Sequence, residues 1–440
     1  MNKIIFCAAA ILIAACSIFG QGKPTAYINA RIIPIVGQPI EQGILLVQNG
    51  RITAVGDART VRLSSDVEIV DLAGKVIMPG LVDSHSHAGG GSGADGSSPI
   101  QPDVRLLDGI NARAASLQRA QAGGITTVNV MPGSGHVDSG QTLYLKLRDD
   151  AVKIDDLLIF DKAGKYAGGI KFANGTNPIR AGGGSFPGTR AKSAALIRDQ
   201  FIKAQEYRDK IKKAGKDVSK LPARDLAMET LVEVLEGKKV VHFHTHRHDD
   251  ILTTLRLQKE FGFRLVLQHV SEGWKVADEI AKAKIPASII MIDVPGGKLE
   301  AINLSLTTGA ALEKAGVLTG FHTDDSITDS RWFLRSAGMA VRAGMSRDKA
   351  LYGMTMANAI MLDLQDRVGS LEAGKDADFI VLSGDPISVY THVLQTFVEG
   401  KKVFDRSDPK DYLTAVGGVG AGDDSDGHTD FHDDELGGGN

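Results

Sequence analysis

The residues with the clearest chemical potential are His85 and His87, two imidazoles separated by a single serine. They end a short apolar run that begins at Val76, and glycines follow at residues 89–91. Because residues i and i+2 of a β-strand face the same side, both rings would project together from the end of one strand. Two fixed imidazoles suit a divalent transition metal such as zinc. A strand end with two exposed histidines is the alternative, since the pair alone is a weak motif.

The elements that must position this pair follow from the pattern of the next 280 or so residues. Apolar, β-rich runs alternate with segments of helical spacing, and together they predict eight strands, of which residues 156–160 form the third. Such alternation favours a parallel sheet of the α/β class. Eight units favour a closed (β/α)8 TIM barrel, and a doubly wound open sheet is the alternative.

In a barrel of this kind the carboxyl ends of the strands gather at one face, where active sites lie. Six polar side chains fall at five of the predicted strand ends: His85, His87, Lys171, His244, His269 and Asp324. A single histidine at the end of an apolar run is usually a hydrogen-bonded core or rim residue. The six must therefore be judged as a set.

The set has a recognisable order. The motif PGLVDSHSH at residues 79–87, the single histidines near later strand ends and the motif HTDD at residues 322–325 together resemble the amidohydrolase superfamily of metal-dependent hydrolases. The nearest likeness is to its imidazolonepropionase-like and Xaa-Pro-dipeptidase-like branch, over roughly residues 25 to 405. Six residues in the superfamily's order favour a metal site over six unrelated core residues.

The resemblance also implies a role for each residue. One or two divalent ions, zinc by preference, would bind here, the first to His85, His87 and Asp324 and the second to His244 and His269. Lys171 would join the two ions as a carbamate formed with carbon dioxide. That reaction needs a neutral amine, and burial beside cations lowers the pKa of a lysine. If Lys171 is instead an ordinary partly buried lysine, the site would hold one metal.

Two positions near these ligands need separate attention. The run Val241–His248 carries four histidines at alternate positions, namely His242, His244, His246 and His248. His246 is predicted to contact the substrate or to act in catalysis, and it is the alternative ligand to His244; His242 and His248 are predicted to be structural or exposed. Thr176 departs from the superfamily's pattern, because close members commonly carry a glutamate there.

The predicted reaction is hydrolysis of an amide-type C–N bond by a metal-activated water. Asp324 would take the proton of the attacking water and pass it to the departing amine, while the metal and His246 would polarise the carbonyl oxygen. The substrate would be a small molecule: a dipeptide, an N-acyl amino acid or a cyclic amide. A catalytically decayed metal-binding barrel is one alternative. A deaminase, a lyase or a phosphotriesterase is another, because the same frame supports several reactions.

The regions outside the barrel are predicted as follows. Short strands and tight turns in residues 22–79 recur in residues 366–407, which predicts one small β-sandwich domain made from both segments, with the barrel at 80–365. Residues 408–440 are rich in Gly and Asp and are predicted to be an acidic, disordered tail.

Composition limits the remaining function classes. The chain has 440 residues, 43% hydrophobic and 23% charged, and its net charge of −3 gives no sign of nucleic-acid binding. Residues 1–21 read as an export signal whose Cys16 follows a lipoprotein cleavage box, with ordinary cleavage near residue 20 as the alternative. Both cysteines, Cys7 and Cys16, lie there, so the metal site must use nitrogen and oxygen ligands. The protein is expected to be exported, either periplasmic or lipid-anchored to the cell envelope, with a homo-oligomer as the default expectation.

Overall fold

The computed structural model describes residues 22–90, 95, 97–179, 186–292, 294, 298–418 and 421. The predicted export signal with Cys16 lies outside these residues, as does most of the predicted acidic tail. Within the described ranges, no helix is long and apolar enough to cross a membrane.

The strands of the described chain are β1 (Thr25–Ile32), β2 (Ile40–Gln48), β3 (Arg51–Asp57), β4 (Glu68–Asp71), β5 (Val76–Pro79), β6 (Leu81–Ser86), β7 (Ile125–Val130), β8 (Asp138–Gln141), β9 (Leu143–Lys146), β10 (Ile170–Ala173), β11 (Val241–Thr245), β12 (Leu265–His269), β13 (Ala287–Ile289), β14 (Thr319–Phe321), β15 (Phe379–Leu382), β16 (Val393–Val398) and β17 (Lys401–Asp405). The helices are α1 (Ala115–Ala122), α2 (Thr176–Ile179), α3 (Arg190–Ala214), α4 (Leu226–Leu235), α5 (His248–Phe261), α6 (Ala277–Ala283), α7 (Thr308–Ala315), α8 (Phe333–Arg342), α9 (Arg347–Gly353), α10 (Met356–Met361) and α11 (Pro409–Val416).

The two terminal segments share one sheet. Its strands run in the order β17-β16-β15-β5-β1-β2-β3, and β4 pairs with β1. The sheet encloses a core of its own in which Tyr27 makes edge contacts with Phe379 and Phe397, at ring-centroid distances of 4.9 Å and 5.3 Å. Strands from both segments therefore pair directly, as expected. Their pairing is one continuous path rather than two separate sheets, so the sandwich and its limits at residues 79 and 366 stay predictions.

The strands that lead to the candidate site form two further sheets. One has the order β14-β13-β12-β11-β10-β8, in which β10 to β14 are all parallel, and the other has the order β6-β7-β9. At the edge between β14 and β6, the Asp324 amide donates to the His85 carbonyl at 2.9 Å, and the Ser84 hydroxyl donates to the Phe321 carbonyl at 3.5 Å. No ladder is recorded between β14 and β6 within the described residues.

The third strand differs from the expectation of a parallel strand at residues 156–160. That position is taken by β8 and β9, of which β8 runs antiparallel to β10 and β9 antiparallel to β7. Residues 154–156 form a 3-10 turn instead, and Leu158 and Phe160 make only isolated bridges. The prediction failed because Asp138–Gln141 is polar yet fully buried, so it lacks the apolar pattern of a strand. Because β8 runs antiparallel to β10, no crossover helix is needed between these two strands, so the alternating pattern of strands and helices is also missing here.

A buried ion cluster links β9 to the terminal sheet, which is the sheet formed by the two terminal segments. Lys146, at the end of β9, places its Nζ 2.8 Å from Asp376 and in closer contact with Asp378. All three side chains are almost completely buried. Nearby, Arg148 forms a bidentate pair with Glu399, at 2.8 Å and 2.9 Å. These charges compensate one another where the two parts of the chain meet.

The predicted tail begins later than residue 408. Residues 409–416 form α11, because the Asp408 side chain accepts from the Lys410 amide and Pro409 stands at the first helical turn. The helix buries Thr414 and Ala415. This part of the disorder prediction is therefore wrong.

Candidate metal centre

The first group of candidate ligands lies where β6 and β14 end. Asp324 Oδ1 is 3.2 Å from His85 Nε2 and 3.0 Å from His87 Nε2. The His87 ring is oriented by its Nδ1, which donates to the Met131 carbonyl at 2.7 Å. Asp324 adopts a φ of +51°, which is unfavourable for a residue other than glycine and is typical of functional sites. The three residues predicted to share one metal thus lie together.

The second group comes from the ends of β11 and β12. The ligand nitrogens of His244, His246 and His269 lie within 4.8 Å of one another. The rings of His246 and His269 stack with centroids 4.8 Å apart, and His246 Nδ1 lies 2.7 Å from the Ser271 hydroxyl. His269 Nδ1 is 3.8 Å from Asp324 Oδ2. The two groups therefore meet at Asp324. The second group contains His246 as well as the predicted ligand His244.

Burial sets the protonation states of these groups. It lowers the pKa of His85 well below its ordinary value, and the Lys171 amine adds to that effect. It likewise lowers the pKa of His244 and of His269. Burial opposes ionisation of Asp324, but the adjacent His269 and His85 hold the pKa of this carboxyl well below its ordinary value. Neutral imidazoles around an ionised carboxylate are the states that a divalent metal requires.

Lys171 is completely buried on β10. Its Nζ lies 3.0 Å from His85 Nε2 and 3.3 Å from Met131 Sδ. Burial lowers the pKa of Lys171 from 10.5 to about 7, although the nearby Asp324 acts in the opposite direction. A substantial fraction of neutral amine near pH 7 is what carbamate formation needs, and the carbamate itself stays a prediction.

His322 belongs to the site and was not predicted as a site residue. Its Nε2 lies 3.0 Å from His269 Nδ1, and its Nδ1 lies 2.8 Å from the Ser288 hydroxyl. Its ring stacks on that of His85 at a centroid distance of 4.9 Å. His322 and Asp324 have the same i, i+2 spacing as the first histidine pair, and that spacing was the signal that could have found it.

Glu300 was missed as well. It lies in a 3-10 turn, Leu299–Ala301, that follows β13, and its side chain is fully buried. Its Oε1 is 3.4 Å from His244 Nε2 and 4.0 Å from His246 Nε2. Burial opposes its ionisation, but His246, Lys298 and the Thr176 hydrogen bonds hold the pKa of Glu300 below its ordinary value. A loop glutamate carries no periodic signal that could have indicated this position.

The other two histidines of the fifth-strand run lie outside both groups, as predicted. His242 is buried between the Tyr144 hydroxyl, 3.0 Å from its Nε2, and the Gln268 amide, 3.2 Å from its Nδ1. His248 is partly exposed, and its Nδ1 lies 2.5 Å from Glu272 Oε2. Hydrogen bonding explains both residues without a ligand.

Comparison with known proteins decides the family. A model described as the amidohydrolase family matches residues 76–405, which is 330 of the 440 residues. A crystal structure of an amidohydrolase from Thermotoga maritima MSB8 is 36% identical and superposes with a TM-score of 0.81, covering 87% of this chain and 100% of that one. The chain belongs to the amidohydrolase family.

Curated amidohydrolase-like relatives agree. Amidohydrolase tasK from Hapsidospora irregularis is 27% identical in a 431-residue alignment that covers 88% of this chain but 44% of the relative, so the chain spans less than half of that protein. Imidazolonepropionase from Thermoplasma volcanium is 22% identical over 420 residues, 84% of this chain and 92% of the relative. The predicted superfamily, a TIM-barrel-like α/β fold and the class of hydrolases acting on C–N bonds are thereby confirmed at the level of the family.

The amidohydrolase family is metal-dependent, and the residues of this chain fit a divalent cation. Several buried ring nitrogens have no hydrogen-bond partner among the described residues: His85 Nδ1, His244 Nδ1, His246 Nε2 and His269 Nε2. His244, His246 and His269 belong to one group of candidate ligands, and His85 belongs to two others. Unpaired buried nitrogens are costly unless a ligand takes them up. Nitrogen and carboxylate donors without thiolates suit zinc and similar ions.

Proposed function

We propose that this amidohydrolase is an exported, metal-dependent hydrolase that cleaves an amide-type C–N bond in a small molecule. The observation that carries the proposal is the position of Asp324, whose carboxylate touches His85 and His87 through Oδ1 and faces His269 through Oδ2. A carboxylate between two groups of buried imidazoles can bind a metal ion through one oxygen and accept a proton from a metal-bound water through the other. Dipeptides, N-acyl amino acids and cyclic amides are the proposed substrate classes.

We assign the ligands as the sequence order implies. His85, His87 and Asp324 would hold one divalent ion, zinc by preference, and His244 with His269 would hold a second. Lys171, as a carbamate, would supply an oxygen to both. His246 lies within the second group and is assigned to the carbonyl oxygen of the substrate. The two sheets, β6-β7-β9 and β8-β10-β11-β12-β13-β14, meet at the Asp324–His85 backbone contact, which supports a closed barrel as the frame.

The proposed mechanism uses residues of this chain for each proton transfer. A divalent ion held by these residues would lower the pKa of a bound water from about 15.7 towards 7 and would polarise the carbonyl of the substrate. Asp324, held ionised by its neighbours, accepts the proton of the attacking water and delivers it to the departing amine nitrogen. His246 donates a hydrogen bond to the carbonyl oxygen as negative charge develops there. The buried walls keep bulk water away from these charges.

The test begins with metal content, measured by elemental analysis on protein never exposed to a chelator. About two zinc-like ions per chain would support the assignment of Lys171 as a bridging ligand. About one ion would support a hydrolase with one metal, in which Lys171 is not a ligand. No ion after incubation with metal and bicarbonate would overturn the proposal. A panel of dipeptides, N-acyl amino acids and cyclic amides then tests hydrolysis. Formation of a free amine, which stays in the ring-opened product of a cyclic amide, supports the proposed reaction. Aminopurines and aryl phosphotriesters are included for contrast, and release of ammonia or of a phenol from these would point to deamination or to phosphotriester cleavage.

Export and attachment are part of the proposal. Residues 1–21 would direct the chain out of the cytoplasm, and a lipid on Cys16 would hold it at the envelope. The support is the apolar run of residues 4–15 directly before Cys16.

A further inference from the structure

The loop carboxylate of Glu300 has no role in the mechanism above, yet it is built into the same site. Its side chain is completely buried, and its Oε1 faces His244 Nε2 at 3.4 Å. A tetrahedral zinc with bonds of about 2.0–2.1 Å holds its ligand atoms about 3.3–3.4 Å apart. The Glu300–His244 separation therefore has the length expected for two ligands of one ion. The distances of 3.0 Å and 3.2 Å from Asp324 to His87 and His85 are similar.

The backbone opposite Glu300 is shaped to receive this carboxylate. The Thr176 amide donates to Glu300 Oε2 at 2.5 Å. At the preceding position, Gly175 has a φ of +87°, and a Cβ there would lie 2.1 Å from the same oxygen. Any side chain at residue 175 would thus push the carboxylate out of its place. One oxygen is fixed by the chain, and the other is left to face the imidazoles, which is how supporting hydrogen bonds orient a ligand.

The local charge balance points the same way. Lys298, whose side chain is 16% exposed, is the nearest cationic side chain recorded for Glu300 and lies 3.5 Å away. His244 Nε2 lies at a similar distance from Oε1, 3.4 Å, and His246 Nε2 lies at 4.0 Å. A fully buried carboxylate is stable only with close compensation of its charge. Lys298 supplies part of this compensation, and a cation held between Glu300 and His244 would add to it.

We propose that Glu300 is a ligand of the ion held by His244, supplying a carboxylate oxygen through Oε1. This inference rests on the proposed function, because it needs a metal in the site. It adds a donor from the loop after β13 to those that come from strand ends. It also gives Thr176 a role, which is to hold the carboxylate of another element rather than to provide one.

The experiment compares the full-length wild type with Glu300→Gln, which keeps the size of the side chain and removes its charge. The matched control is Glu272→Gln, because Glu272 is also a buried loop glutamate but bonds His248, Lys275 and Asn303 instead. Binding of Zn²⁺ is measured by competition with a chromogenic chelator. The absorption spectrum of the Co²⁺-loaded protein reports the ligand set. Neither readout depends on activity.

We expect Glu300→Gln to weaken binding of at least one ion by about 10-fold or more and to change the cobalt spectrum, while Glu272→Gln leaves both unchanged. Metal should also raise the Tm of Glu300→Gln less than that of the wild type, although the metal-free Tm values stay close. Unchanged affinity and spectrum in Glu300→Gln would overturn this inference alone. A wild type that binds no ion would instead overturn the proposed function. If Glu300→Gln fails to fold, Glu300→Asp, which retracts the carboxylate by one methylene, must show the same loss.

Discussion

Lys171 Nζ lies 3.0 Å from His85 Nε2 in a fully buried position, so the amine on β10 is already in contact with a ligand on β6. This contact crosses the interior between two different sheets. It places Lys171 beside the first group of ligands, and burial lowers the pKa of this lysine to about 7. The contact motivates a direct test of carbamate formation.

Replacing Lys171 with Ala should remove about one metal ion per chain, because the proposed shared oxygen is lost. Turnover should fall by at least about 100-fold, and a short carboxylic acid such as propionate should restore part of it by filling the space. In the wild type, ¹³C-bicarbonate should give a carbamate signal by NMR. Lys239→Ala, at another buried lysine outside the site, is the control. Full metal content in Lys171→Ala would contradict the bridge.

Replacing Asp324 with Asn should leave the fold intact and lower kcat by about 10²–10⁴-fold, since the group that accepts and returns the proton is lost. The measurement is steady-state kinetics on the substrate that the panel identifies, with circular dichroism as the check on folding. Asp366→Asn, at an exposed carboxylate paired with Lys162, should behave as the wild type. Turnover unaffected by Asp324→Asn would remove Asp324 from the mechanism.

Replacing Lys146 with Met should lower the free energy of unfolding by about 3–5 kcal/mol, because the buried Asp378 loses its ion-pair partner. Asp376 loses one of its partners and keeps Arg51 and Arg367. Urea denaturation measures the change. The exposed pair Lys162–Asp366, at 3.4 Å, provides the contrast, and Lys162→Met should cost about 1 kcal/mol or less. If the two variants were equally stable, the ion cluster would not hold the terminal sheet to the barrel strands.

Asp405 should contribute to stability in a pH-dependent manner. Burial alone would raise the pKa of Asp405, but hydrogen bonds from Lys402, Ser407 and Gln395 lower it from 3.8 to about 2. A carboxyl whose pKa is depressed on folding stabilises the native state above its unfolded pKa, and this stabilisation is lost as the pH falls from about 4 to 2. Asp405→Asn should therefore be less stable than the wild type at pH 6 by about 1–2 kcal/mol. A difference that stays constant from pH 6 to pH 2 would contradict the assignment.

Replacing Cys16 with Ala should release the protein from membranes if a lipid is attached there. Fractionation of expressing cells, with detection of the chain in soluble and membrane fractions, measures the change. Metabolic labelling with a fatty-acid analogue should mark the wild type only. A wild type that is already soluble and unlabelled would indicate ordinary cleavage of the export signal near residue 20.

The parts of this site that were predictable are those that follow strand periodicity. His85, His87, His244, His269 and Asp324 stand at or near the carboxyl ends of strands, whereas Lys171 is the second residue of β10. Parallel pairing of β10 to β14 brings the residues of those strands together, and the backbone contact of Asp324 with His85 joins them to β6. His322 also directly follows the end of a strand, β14, and was not predicted. Glu300 was beyond such reasoning, because the position of a loop residue depends on tertiary contacts such as the one with Thr176. The reversed strand β8 was hidden for a related reason, since its burial is not matched by apolar residues.

The pairing of β5 with β15 joins Pro79 to Phe379, two residues that are 300 positions apart. At translation rates of about 5–20 residues per second, β5 is made some 15–60 s before its partner. During that interval one edge of β5 has no strand to pair with, and its four apolar residues, all buried in the complete fold, lack part of their cover. The sheet cannot be completed vectorially from the ribosome. The terminal sheet therefore stays incomplete until β15 has been synthesised, which would favour passage through a translocation channel in a chain exported as we propose.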